Sequence, residues 1–157
     1  MDTLSLVYLI VIVSGLTGAS VAGYIHGKKF RNDKLVCPVG SDCEVVIYSK
    51  YSKFLGIPIE NLGVVYYLTV ALSYTFLFLF PKPNSEILSF FTLSITTLAF
   101  LFSLYLTYIQ AVNLRQWCVW CLLSAGLCTI IFLSVWSFSE INLVEFLNNF
   151  VENLIFS

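Results

Sequence analysis

The sequence predicts an all-α membrane protein, a four-transmembrane-helix up-and-down bundle. Three observations carry that prediction. Only 11% of the 157 residues are charged, 59% are hydrophobic and the mean hydropathy is +0.89, whereas a soluble domain carries about 25% charge and 45–50% apolar residues. Four apolar stretches approach or exceed the ~20 residues that cross a ~30 Å hydrocarbon core. The second and third connections between those stretches are short, and helices joined by short turns run antiparallel.

The first span covers about 4–25 and carries no charge. Its length, and an acidic start at Asp2 without a basic leader, speak against a cleaved signal peptide. Gly15, Ala19 and Gly23, and likewise Ser14, Gly18 and Ala22, recur every four residues, giving a small-residue face on which a neighbouring helix can pack closely. A long polar loop follows at 27–61, with most of the charge. Within it, 44–55 reads as an amphipathic helix, since Ile47, Tyr48, Tyr51, Phe54 and Leu55 fall near one face. Gly56 and Pro58 end it before the second span, about 62–80.

Pro81, Lys82, Pro83 and Asn84 make a turn to the third span, about 87–112. A second turn at 113–116 leads to the fourth, about 117–138. Residues 1–139 thus form the membrane domain. The tail, 140–157, places Ile141, Val144, Leu147, Val151, Leu154 and Ile155 at helical spacing with Glu145, Asn148, Asn149 and Glu152 mostly between them. Carboxylates and amides are costly at mid-membrane, so this pattern predicts an amphipathic interfacial helix instead of a fifth crossing.

The chemistry rests with the cysteines. Cys37 and Cys43 lie in the loop, and Cys118-Val119-Trp120-Cys121 opens the fourth span. The loop and the turn before Cys118 emerge on the same side of the membrane, so all four thiols share one face. At a helix N-terminus, unpaired backbone N–H groups and the helix dipole favour a thiolate. Two dithiol pairs, one on a loop and one at the lipid boundary, are equipment for relaying electrons by thiol–disulfide exchange. A structural disulfide in the loop, or a four-cysteine zinc site in a non-catalytic bundle, is the alternative reading. The C-x5-C spacing is wider than the usual zinc half-site, so no metal is expected. Cys128 reads as a small buried hydrophobe.

Several short motifs occur in one order: Cys37 and Cys43, then Val46, Ser49 and Tyr51, Gly56-Ile57-Pro58, Gly63 with Tyr66-Tyr67, and Cys118-x-x-Cys121-x-x-Ser124. Together they resemble the vitamin K epoxide reductase family, in particular its bacterial and archaeal disulfide-forming homologues without a fused thioredoxin-like domain. The resemblance covers nearly all of 4–138. It implies a membrane thiol:quinone oxidoreductase whose bundle encloses a lipid quinone of the menaquinone, ubiquinone or related type. By the same resemblance, Cys37 would exchange with a separate thioredoxin-like dithiol protein, Cys43 would pass electrons to Cys118, and Cys121 would face the quinone. Ser124 would donate a hydrogen bond to a quinone carbonyl, with Leu62, Tyr66, Tyr67, Ile47 and Tyr51 as pocket walls. Animal members carry an asparagine where this chain has Ile59 and a tyrosine where it has Ala125, which favours simple quinone reduction over reduction of an epoxide.

Charge orients the bundle. Lys28, Lys29, Arg31, Lys34, Lys50, Lys53 and Arg115 lie on the cysteine face, against Lys82 alone on the other. Asp33, Asp42 and Glu44 are interleaved among the basic residues, which argues against a nucleic-acid surface. The positive-inside rule predicts that the cysteine face is cytosolic, the inverse of the family's usual extracytoplasmic arrangement. Disulfide formation in the cytosol suits hyperthermophilic archaea, whose intracellular proteins carry disulfides.

Overall fold

The computed structural model describes residues 3–37, 43–80 and 86–155, and of 3–4, 86–89 and 138–155 the backbone alone. Its elements are α1 (Thr3–Phe30), α2 (Cys43–Ile47), β1 (Lys53–Phe54), β2 (Ile57–Pro58), α3 (Ile59–Leu79), α4 (Glu86–Tyr108) and α5 (Val119–Ile155). Four stretches among the described residues are long and apolar enough to cross a membrane: Ser5–Phe30, Ile59–Leu79, Phe90–Leu114 and Val119–Ser137. Serine and threonine hydroxyls within them donate to carbonyls one turn back, as Thr17 does to Val13 at 2.8 Å and Thr96 to Thr92 at 2.9 Å, so these polar atoms are satisfied inside their own helix.

α1 runs a full turn beyond the expected span and ends on Lys28 and Lys29, cations that suit the negative end of the helix dipole. α3 starts at Ile59 and places Glu60 in its first turn, where a carboxylate suits the positive end. The small residues of α1 face α3. A Cβ added to Gly15 would stand 3.1 Å from the Ala71 Cβ, and one added to Gly18 would stand 2.5 Å from the Tyr67 ring. Gly23 has nothing within 4 Å, so the working stripe is Gly15, Gly18 and Ala22, which mixes the two sequence registers.

α1 packs along both α3 and α5, and α4 packs on α5, whereas α3 and α4 barely touch. α3 and α4, although consecutive, are therefore not close neighbours along their length, because a cavity lies between them and is walled by both. The connection 81–84 lies outside the described residues.

The loop departs from the expected amphipathic helix over 44–55. Helix α2 stops at Ile47, Ser49 is extended (φ −65°, ψ 162°), and a single 3-10 turn follows at Lys50–Ser52. The Ser49 hydroxyl donates to the Val46 carbonyl at 2.8 Å, a local bond that competes with helix continuation. Phe54 then pairs with Ile57 and Lys53 with Pro58 in an antiparallel hairpin. Its two turn residues, Leu55 and Gly56, have φ of 52° and 84°, the left-handed pair that a two-residue hairpin turn requires. Phe54 lays its ring on Phe102 of α4, centroids 5.3 Å apart, so the hairpin roofs the gap between α3 and α4.

The tail is helical, as expected. Residues 140–155 continue α5 without a break, so that α5 is one helix of 37 residues. At 1.5 Å per residue it is about 55 Å long, well beyond a ~30 Å hydrocarbon core.

Candidate active site

Cys118 immediately precedes α5, whose start is set by an unusual end to α4. A π-helical turn, Ile109–Leu114, carries the chain past α4, and Arg115 ends it in the left-handed conformation at φ 49°. Such turns place side chains that a regular helix would rotate away. Here it buries Gln110, whose Oε1 accepts the backbone N–H of Cys118 at 3.2 Å. The Cys118 sulfur in turn accepts the backbone N–H of Cys121 at 3.3 Å, so it caps the helix from within. Hydrogen bonds from the Cys121 thiol and from the backbone of Cys121 and Trp120 hold the Cys118 thiol below its usual pKa against the opposing effect of burial.

The four sequence-predicted cysteines meet at this end of the bundle. Cys37 and Cys43 are joined in a disulfide, while Cys118 and Cys121 are thiols. Cys43 and Cys118, the latter 0% exposed, belong to one buried cluster with Val21, Ile25, Val46 and Ile47, and Cys37 and Cys121 pack against it. Trp120 fastens the loop to α5: its Nε1–H donates to the Val36 carbonyl at 3.1 Å, beside Cys37, and its ring lies 5.0 Å from that of Tyr24.

Below the cysteines lies a cavity of about 420 Å³. Ile47, Tyr51, Leu62, Tyr66, Tyr67 and Ser124 all line it, as does Cys121, whereas Cys118 lies outside the lining. The Tyr67 hydroxyl donates to the Ser124 carbonyl at 2.7 Å and lies 2.9 Å from the Ser124 hydroxyl, so Ser124 is already held by a neighbour. Asn113 reaches the Tyr51 hydroxyl at 3.4 Å, tying the loop wall to the end of α4.

Residues 9–136 match the vitamin K epoxide reductase family. The chain belongs to that family. The match takes in most of the chain, reaching into all four spans and including all five cysteines. No curated protein matches the sequence. Membership makes this chain a membrane oxidoreductase of the class that couples thiols to quinones.

Sequence reasoning missed several residues that the structure places at this site. Gln110 gave no signal, since a lone amide near the end of an apolar span has no motif. Cys128, read as a buried hydrophobe, is buried but also lines the cavity, and its thiol donates to the Tyr66 hydroxyl at 3.7 Å. Lys29 and Glu60 counted only as loop charges. They form a partly buried ion pair at 2.8 Å, with Glu60 on the cavity wall, and a carboxylate at the end of a membrane span is itself a functional signal.

Proposed function

We propose that this protein is a thiol:quinone oxidoreductase that forms disulfides in a separate thioredoxin-like protein and passes the electrons through two cysteine pairs to a lipid quinone. The observation that carries this reading is that Cys43 and Cys118 share one buried cluster while Cys121 opens onto the cavity. A single continuous path thus joins the loop disulfide to an apolar chamber.

The residues fit a quinone. The cavity lies in the 300–1,000 Å³ range of small-molecule sites, and its lining is mostly apolar with a few polar groups, as such sites require. A bound quinone would supply a two-electron acceptor. The cysteines supply everything before that step. A partner thiolate attacks Cys37 of the Cys37–Cys43 disulfide and releases Cys43 as a thiolate. Cys43 attacks Cys118 of an oxidised Cys118–Cys121 pair and releases Cys121. Cys37, once the partner is discharged, attacks Cys43 and releases Cys118, a better leaving group because hydrogen bonds hold its thiol below the usual pKa. The arrangement seen, with the loop pair oxidised and Cys118 and Cys121 reduced, corresponds to the stage before electrons leave for the quinone.

The alternative is a non-catalytic bundle with a four-cysteine zinc site or a structural disulfide; the loop disulfide consumes two of the four thiolates a zinc site needs, and a merely structural loop disulfide leaves the Cys118 and Cys121 pair without a role. The basic residues support an orientation with the cysteine face in the cytosol. A C-terminal reporter found in the cytosol would overturn that orientation, because four crossings put both termini opposite the cysteines.

The relay is tested with purified protein, reduced thioredoxin and a short-chain quinone. Dithiol oxidation should depend on quinone and vanish in Cys121→Ala, and a Cys43–Cys118 link should accumulate in Cys37→Ala. Full activity in Cys121→Ala, or stoichiometric zinc in the purified protein, would defeat the proposal.

A further inference from the structure

Glu60 is only 9% exposed and lies on the wall of the cavity. Its Oε1 accepts the Lys29 ammonium at 2.8 Å, but its Oε2 is the one buried side-chain oxygen or nitrogen among the described residues without a partner. A buried carboxylate oxygen left unpaired is costly unless a ligand or a proton uses it. Lys29 also donates to the Ser52 hydroxyl at 3.2 Å. Ser52 lines both the cavity and a second, outer basin, which Lys29 shares with Asn32, Lys50 and Lys53. The pair therefore stands where the apolar cavity meets a basic surface basin.

Proton bookkeeping gives this position a use, on the reading of the cavity as a quinone site. When Cys118 and Cys121 close their disulfide, one S–S bond forms and two electrons leave. A quinone that takes the electrons also needs two protons. Cys121 gives up one as its S–H bond breaks. The thiolate is the form of Cys118 that attacks, so its proton has already left for bulk solvent and the second must be taken up from water.

We propose that Glu60, Lys29 and Ser52 form the proton inlet of this cavity. Glu60 takes a proton from Lys29 at Oε1, turns its carboxyl to hand that proton to the oxygen being reduced, and returns as the carboxylate to Lys29. Lys29 recovers its proton from water in the outer basin, beside Ser52. The titratable groups that pair with Glu60 or share its cavity are Lys29 on α1, Tyr51 on the loop, Tyr66 and Tyr67 on α3, and Cys121 and Cys128 on α5. Of these, Lys29 alone also lines the outer basin, so it is the group that links Glu60 to water.

The test compares wild type with Glu60→Gln, which keeps shape and hydrogen bonding but cannot shuttle a proton. Short-chain ubiquinone and short-chain menaquinone serve as probes, with binding read from tryptophan fluorescence. Quinone binding should persist in Glu60→Gln while quinone-dependent dithiol oxidation falls about 100-fold, the usual scale for losing a positioned proton donor. Redox-difference infrared spectra should show a carboxyl band in wild type that Glu60→Gln lacks. If Glu60→Gln folds poorly, the neutral pair Lys29→Gln/Glu60→Gln replaces it, with the same loss expected. A rate within about 3-fold of wild type in the folded variant, or no carboxyl band in a quinone-reducing wild type, would overturn the inlet. Failure of wild type itself to reduce either quinone would instead overturn the quinone reading on which it rests.

Discussion

The backbone N–H of Cys118 donates to Oε1 of Gln110 at 3.2 Å, so a buried amide eight residues upstream caps the helix that carries the C-x-x-C pair. Replacing Gln110 with alanine removes the acceptor and leaves a buried N–H unpaired. The expected cost is about 1–2 kcal/mol of stability, read from thermal unfolding in detergent. Disulfide closure between Cys118 and Cys121 should slow as well, because the thiol loses its fixed position. An unchanged melting temperature together with unchanged closure would show that the cap does nothing.

Cys118 makes stability depend on pH in a defined direction. Its thiol is held below its usual pKa in the folded state by hydrogen bonds from Cys121 and Trp120. Between that lowered value and the unfolded value of about 8.5, the unfolded chain binds more protons. Stability of the reduced protein should therefore rise with pH across this window, be complete above the unfolded value, and fade as pH falls through the folded one. Subtracting the curve of Cys118→Ala isolates the contribution, and a flat difference would refute it.

Gly18 and Gly23 lie on the same helix and should respond oppositely. A Cβ on Gly18 meets the Tyr67 ring at 2.5 Å, and Tyr67 is itself held against Ser124, so the ring cannot yield freely. Gly18→Ala should cost about 1–3 kcal/mol as overpacking and weaken quinone binding by moving a cavity wall. Gly23→Ala, with open space around it, should be neutral in both unfolding and binding. Equal effects of the two would dispose of the close α1–α3 contact.

Trp120 separates the two halves of the relay. Trp120→Phe keeps a ring near Tyr24 but loses the bond to the Val36 carbonyl, which fixes the chain beside Cys37. Transfer from the loop pair to Cys118 should slow by about 10-fold, since a 1 Å misplacement can cost about 100-fold. Quinone reduction by a pre-reduced Cys118 and Cys121 pair should keep its rate. Stopped-flow measurement of each half-reaction distinguishes this from general damage, which would slow both.

Much of the site was legible because its chemistry is local. The C-x-x-C pair at a helix start and the loop pair are read from the residues themselves, whereas the walls Ile47, Tyr51, Leu62, Tyr66, Tyr67 and Ser124 come from the family resemblance; the structure gathers them around one cavity and its roof. The loop was misread because the apolar spacing of 44–55 fits a helix equally well. The left-handed turn at Leu55 and Gly56 converts the same residues into a hairpin, and nothing about a leucine announces positive φ. Gln110 and the Lys29–Glu60 pair were invisible because their partners lie 8 and 31 residues away.

By itself, the sequence determined the membrane, the four crossings and the gathering of the cysteines at one end. Lipid enforces these through length and charge alone, which are properties of short segments. Only the tertiary structure decided which faces meet. The hydrophobic periodicity of α1 and α3 names no inward side, and the small-residue spacing of α1 offers two registers without choosing between them. Close packing of Gly15 and Gly18 against α3, and of α4 against α5, leaves α3 and α4 apart. That separation is the cavity, and with it comes the placement of Cys121 and Glu60 on its wall.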